Sequence, residues 1–288
     1  MNARFTAADQ SAFAAQAKVA VIATKDPVGL PHLTLITSLQ VLGDSKITLG
    51  QFCVGRSKQY LQERPEFGFA VMSLDRRLWR GAARWTGLRR EGPEYEAYNL
   101  QAMFRYNSYF GINTVHYADL LELEGPRPVP VARIAVDYAL TRALRALRRP
   151  RKPAPALGPF SRELLDAPSS IKFLGYVRAD GTPVVVPVLQ AQSAGTARIV
   201  LSAAAAFGDE LKAVPSGASV AILAVTMQMQ SVLVRGRFSG VRGLVLPSGQ
   251  VEVDWVYNSM PPGHGQIYPP VPLQEVRDFG TPVARGGG

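Results

Sequence analysis

The 288 residues, 47% hydrophobic and 19% charged, have the balance of a soluble globular protein and length for one large core or two ordinary ones. The single cysteine, Cys53, excludes an intrachain disulfide, and His32, His116 and His264 lack the spacing of metal ligands. The net charge of +10 suggests an anionic partner, yet Arg142, Arg145, Arg148, Arg149, Arg151 and Lys152 carry six of those charges and leave +4 for the rest, so neither nucleic acid nor membrane is expected as a partner.

The N-terminal "AFAAQAKVAVIAT" is rich in small residues, but Gln16 and Lys18 interrupt it and its second half reads as a strand, so a cytoplasmic location is expected. No apolar run approaches the ~20 residues that span a bilayer. "VAVIATKDPVGLPHLTLITSL" then gives a strand, a turn with Gly29, and a second strand opened by Pro31. "KITLGQ" is a third strand, followed by "FCVGRSKQYLQERP", a short helical run ending at Pro65. At its front, Gly55 gives backbone freedom beside a guanidinium on Arg56, a hydroxyl on Ser57 and an ammonium on Lys58. These are the donors a phosphate needs at a helix start. The plain alternative is that Arg56 and Lys58 are solvated surface charges.

Two further strands, "FGFAVMSL" and "LWRGAARWTG", complete the first set. In 91–123, Tyr95, Tyr98, Leu100, Met103, Phe104 and Tyr106 recur at roughly helical spacing, which predicts a helical insertion packed on the barrel or walling a pocket. "PVPVARIAVDYALTRALRALRR" reads as a strand running into an arginine-studded helix, and "PRKPAPALGPF" as an extended linker.

The same order of signals then returns. Gly181 and Pro183 stand 152 positions beyond Gly29 and Pro31, while Leu211 and Pro215 stand 150 beyond Leu61 and Pro65. Arg235-Gly236 in "VLVRGRFSG" answers Arg80-Gly81. Aligned through the leucines, Arg56, Ser57 and Lys58 become Ala206, Phe207 and Gly208, so the second copy has lost the phosphate-binding side chains. A C-terminal arm with Trp255, Tyr257, Tyr268 and several prolines is expected to wrap the other barrel or a second chain. The expected division is 1–141 for the first unit, 142–158 for the linker and 159–288 for the second unit and arm.

Taken in order, "ATKDPVGLPHLTLIT", "GRSKQYLQERP" and "WRGAARWTG" resemble the pyridoxamine phosphate oxidase-like superfamily of FMN-binding split β-barrels. The resemblance covers most of 19–87, with a weaker match over 171–241. It implies a mainly β fold of two tandem split barrels forming an internal pseudo-dimer, present as a pseudo-dimeric monomer or a homodimer. It further implies flavin mononucleotide between the barrels and a flavin-dependent oxidoreductase acting on a small molecule, with NAD(P)H as a candidate donor. Arg56, Ser57 and Lys58 would hold the phosphate, and Leu35, Ile36, Thr37, Ser38 and Gln51 would address the ring and ribityl chain. The family also places cations on the second strand, where this chain has Thr34, Thr37 and Leu39. That departure leaves a deazaflavin, haem, or compensation by Arg80 or Arg84 open, along with a non-catalytic flavin- or haem-binding protein. Trp79 and Trp85 are candidates for ring stacking or for core; no catalytic residue is legible.

Overall fold

The structure is a computed structural model, and it describes residues 3–52, 55–101, 111–147, 155–228, 230–258 and 265–272. A capping box opens the first helix, α1 (Ala7–Ala14): Thr6 Oγ1 accepts from the Asp9 amide at 3.2 Å, and Asp9 Oδ2 accepts from the Thr6 amide at 2.9 Å. The first copy continues with β1 (Lys18–Lys25), β2 (Pro31–Leu35), β3 (Leu39–Leu42), β4 (Lys46–Gln51), α2 (Arg56–Glu63), β5 (Glu66–Ser73), β6 (Arg77–Arg89), α3 (Pro93–Leu100) and β7 (Thr114–Pro128). Two helices follow, α4 (Val131–Leu147) and α5 (Pro159–Asp166). The second copy comprises β8 (Ile171–Val177), β9 (Pro183–Pro187), β10 (Gln192–Ser193), β11 (Arg198–Ser202), α6 (Gly208–Lys212), β12 (Ser219–Val225), β13 (Ser231–Phe238), β14 (Ser248–Asn258) and β15 (Gly265–Tyr268).

Both copies have the same strand order. The first sheet runs β2-β1-β5-β6-β7-β4-β3, and the second, read from its other end, runs β9-β8-β12-β13-β14-β11-β10, with β15 added to β14. In each sheet the two edge strands are consecutive in sequence. The residues between Leu35 and Leu39 can span at most about 14 Å, so the first sheet must curl until its edges nearly meet, open only between β2 and β3. This is the expected split barrel, twice. The matching turns are also alike: Gly29 and Gly181 have φ of 84° and 85°, a left-handed conformation that favours glycine.

The barrels pack reciprocally. β2 lies on β8 and β12 of the second barrel, while β9 lies on β1, β5 and β6 of the first, the exchange of equivalent faces expected of an internal pseudo-dimer. One hydrophobic core runs through the junction, joining Val21, Leu33, Ala70 and Leu78 to Phe173, Val186 and Leu223. The approach is close enough to require glycine. A Cβ on Gly68 would lie 2.3 Å from the Pro183 carbonyl oxygen, backbone that cannot swing aside. Gly68→Ala is therefore expected to cost about 1–3 kcal/mol in a denaturant titration. Gly87→Ala, whose Cβ meets nothing within 4 Å, is the neutral control.

Four expectations need correction. Among the described residues of the predicted helical insertion, helix covers 93–100, and 114–123 belong to β7. Met103, Phe104 and Tyr106 lie outside the described residues. The strand read at the front of "PVPVARIAV" does not form, because β7 ends at Pro128 and α4 begins at Val131; α4 also runs across position 141 and packs on β10 and β11. Trp255 and Tyr257 stand in β14, inside the second sheet, rather than in an arm. Among the described residues no helix is long and apolar enough to cross a membrane.

Candidate functional site

Gly55 is the N-cap of α2 and offers no side-chain cap, and its carbonyl accepts from the Lys58 amide at 3.2 Å. Ser57 and Lys58 in that turn are buried, whereas Arg56 is exposed. Ser57 Oγ contacts Thr34 Oγ1 on β2, which seats the helix start against that strand. The Arg56 guanidinium lies 4.9 Å from the ring centre of Tyr257, which belongs to the other barrel. Of the three predicted phosphate ligands, Arg56 thus reaches the other barrel, while Ser57 meets β2 and the Lys58 charge lies near His116, both within the first.

Residues of the second barrel build the facing wall. Trp255 and Tyr257, two apart on β14, stack at 5.2 Å with ring planes 9° apart. Arg235 lies 3.9 Å over the Trp255 ring, and its Nη1 donates to Asp26 Oδ2 at 2.6 Å, tying β13 to the turn after β1. His32, on the same face of β2 as Thr34, meets Tyr60 and Tyr257 edge-on at 5.5 and 5.9 Å. Burial, reinforced by the charges of Arg235 and Arg56, pushes its pKa down to about 3, so the imidazole is neutral. Sequence reasoning did not place Asp26, Tyr60, Tyr257 or Arg235 at the site.

Beside α2, the remaining predicted residues divide by environment. Gln51 closes β4, and its Oε1 lies 2.9 Å from His116 Nε2 on the neighbouring β7. Trp85 Nε1, which can only donate, reaches His116 Nδ1 at 3.2 Å. The imidazole therefore carries its proton on Nε2 and donates to Gln51, fixing that amide. Burial and then the Lys58 charge bring the His116 pKa down to about 4. Ile36 is buried in the first barrel's core, Leu35 packs on the core shared by the barrels, and Thr37 is half-buried. Ser38 Oγ donates to the Gly50 carbonyl at 2.7 Å, and the Ser38 carbonyl accepts from Tyr98, so this residue braces the strand ends.

The suggested compensating cations are engaged elsewhere: Arg80 pairs with Glu124, and Arg84 pairs with Glu66 at 2.8 Å. Trp79 is core, fully buried with its indole donating to Asp9 at 2.7 Å. Cys53 and His264 lie outside the described residues. Among those described, no group of three or more His, Cys, Asp or Glu could hold a metal.

The pseudo-symmetric counterpart has a different character. There a cavity of about 320 Å³ is lined by Arg80, Arg178, Glu122, Glu124 and Glu210, and its charges pair off as Arg80–Glu124, Arg178–Glu122 and Arg127–Glu210. Arg178 occupies the position of Asp26, 152 residues on, so even the sign of the charge is reversed. The turn before α6, however, still binds an anionic group: the amides of Ala204, Ala205 and Ala206 donate to the Asp137 carboxylate. In chain order this turn stands where the first copy has the residues leading into α2, of which 53 and 54 lie outside the described residues.

Fold and site together define a tandem split-barrel protein with a candidate anion site between its halves. No family model matches the sequence, and neither does any curated protein. Among solved structures, the chain is similar to an FMN-binding protein from Syntrophomonas wolfei subsp. wolfei, at 17% identity over 40% of this chain and 81% of that one, with a TM-score of 0.35. It is also similar to HupZ of Group A Streptococcus (16% identity, 41% and 91% covered, TM-score 0.35) and to an F420 reductase (12% identity, 40% and 94% covered, TM-score 0.33).

Proposed function

We propose that the chain holds one flavin mononucleotide where α2 meets β14 and uses it as an oxidoreductase on a small molecule, with NADH or NADPH as donor. The observation that carries this reading is the convergence of Arg56, Ser57 and Lys58 at an uncapped helix start with the Tyr257–Trp255 stack of the other barrel. The first group suits a phosphate dianion, and the aromatic pair, covered by Arg56 on one side and Arg235 on the other, holds those cations in place. Bound flavin supplies hydride and electron transfer at its own ring, which leaves the protein to bind, orient and shield it. Arg56, Ser57 and Lys58 would grip the phosphate, with Gln51 held by His116 and Thr37 nearby for ring or ribityl oxygens. The internal pseudo-dimer supplies both walls, so a single chain suffices.

The purified protein is expected to absorb at about 375 and 450 nm, or to do so after incubation with the cofactor. Arg56→Ala with Lys58→Ala should weaken flavin binding by roughly 100-fold, two charge-assisted contacts being lost. A colourless protein that quenches no flavin fluorescence on titration would sink the reading. A yellow protein that neither NADH nor NADPH reduces would make it a flavin binder instead.

A further inference from the structure

Asp137, on α4, is fully buried, and among the described residues it forms no ion pair. Its hydrogen bonds there all come from neutral donors of one turn. Oδ1 accepts from Ser202 Oγ at 2.6 Å and from the amides of Ala204 and Ala205 at 3.2 and 3.1 Å, while Oδ2 accepts from the amides of Ala205 and Ala206 at 3.2 and 2.6 Å. A buried carboxylate needs such compensation, and consecutive N–H groups converging on one point form an anion receptor. The rest of α4 is shaped to deliver it. Thr141 Oγ1 accepts from the Ser202 amide at 2.9 Å, Leu144 packs on Ala194 and Val200, and Arg145 pairs with Asp166 at 2.7 Å. Positions 137, 141, 144 and 145 lie on one helix face.

We infer that the second barrel keeps a working anion site in its β11–α6 turn, specific for a carboxylate or phosphate group, and that the chain fills this site from within. α4 is then a tethered ligand, with Asp137 standing where an external anion would bind. The side chains lost at Ala206, Phe207 and Gly208 removed the cations of the site but not its backbone receptor. This inference does not depend on the first barrel binding flavin.

The test is rescue of an emptied receptor. Asp137→Ala should lower the Tm by roughly 6–12 °C. At about 100 mM, formate or inorganic phosphate should restore half or more of that loss, while chloride at equal ionic strength restores none. Wild type should shift little in the same salts. Thr141→Ala, which loosens the same helix but leaves Asp137 in place, should lose stability and regain none with formate. Should Asp137→Ala fail to fold in chloride, the soluble yield on refolding in formate against chloride reads the same difference. Equal responses of wild type and Asp137→Ala, or no anion-specific gain in either assay, overturn the inference. Because formate and phosphate are the probes, a failure of the flavin reading leaves this result untouched.

Discussion

Arg235→Ala is expected to destabilise the protein by about 3–5 kcal/mol, the usual cost of leaving one member of a buried ion pair without its partner. Asp26 and Arg235 are 7% and 9% exposed, low enough that water cannot take over the missing contact. The guanidinium also covers Trp255 at 3.9 Å, so its removal uncovers an aromatic face at the barrel junction. Asp26 Oδ1 accepts from the amides of Val28 and Leu30, which anchors the carboxylate in its turn and prevents it from swinging out to solvent. Asp26→Asn retains an oxygen for that turn, so a cycle of Asp26→Asn, Arg235→Ala and the double variant isolates the charge pairing. The double variant should be less destabilised than the sum of the singles. Losses below about 1 kcal/mol for Arg235→Ala would show that the junction does not need the pair.

Acidification provides the second large effect. His32 and His116 have pKa values of about 3 and about 4 in the folded chain, against about 6.5 for a free imidazole. Below pH 6.5 the unfolded chain takes up a proton at each ring and the folded chain does not. The stability from these two sites is therefore present above that pH and is lost as pH falls toward the folded values. Between about pH 7.5 and 5 the combined loss is about 4 kcal/mol, in a range where ordinary carboxylates are still ionised. His32→Phe keeps an edge-on ring against Tyr60 and Tyr257 and should halve the loss. Urea unfolding at the two pH values measures it, and an undiminished loss in the variant would rule out His32 as a source.

The duplication was legible because turns are punctuated by residues with little freedom of substitution. Gly29 and Gly181 hold left-handed backbone, and each precedes the proline that opens the next strand. β7 was not legible. Its "TVHYADLLELEGPRP" carries acidic residues and prolines that disfavour strand, and its burial does not alternate: the first residues are buried in succession and those from Asp119 on are exposed or half-buried. The strand is held by pairing with β4 and β6, which is tertiary information. The candidate site divides in the same way. Arg56, Ser57 and Lys58 are neighbours, so their chemistry could be read locally. Asp26 and Arg235 meet across 209 positions, and Asp137 meets Ala206 across 69, separations at which no periodicity carries a signal.

The reciprocal seating of β2 on β8 and β12, and of β9 on β1, β5 and β6, has a genetic corollary. In an assembly of identical subunits every substitution arrives twice, once on either side of the axis, and must be tolerated in both places. Here the two faces are written by separate stretches of one gene. An arginine could replace an aspartate at position 178 while Asp26 stayed as it was, and one half could trade its cations for alanine and glycine without disarming the other.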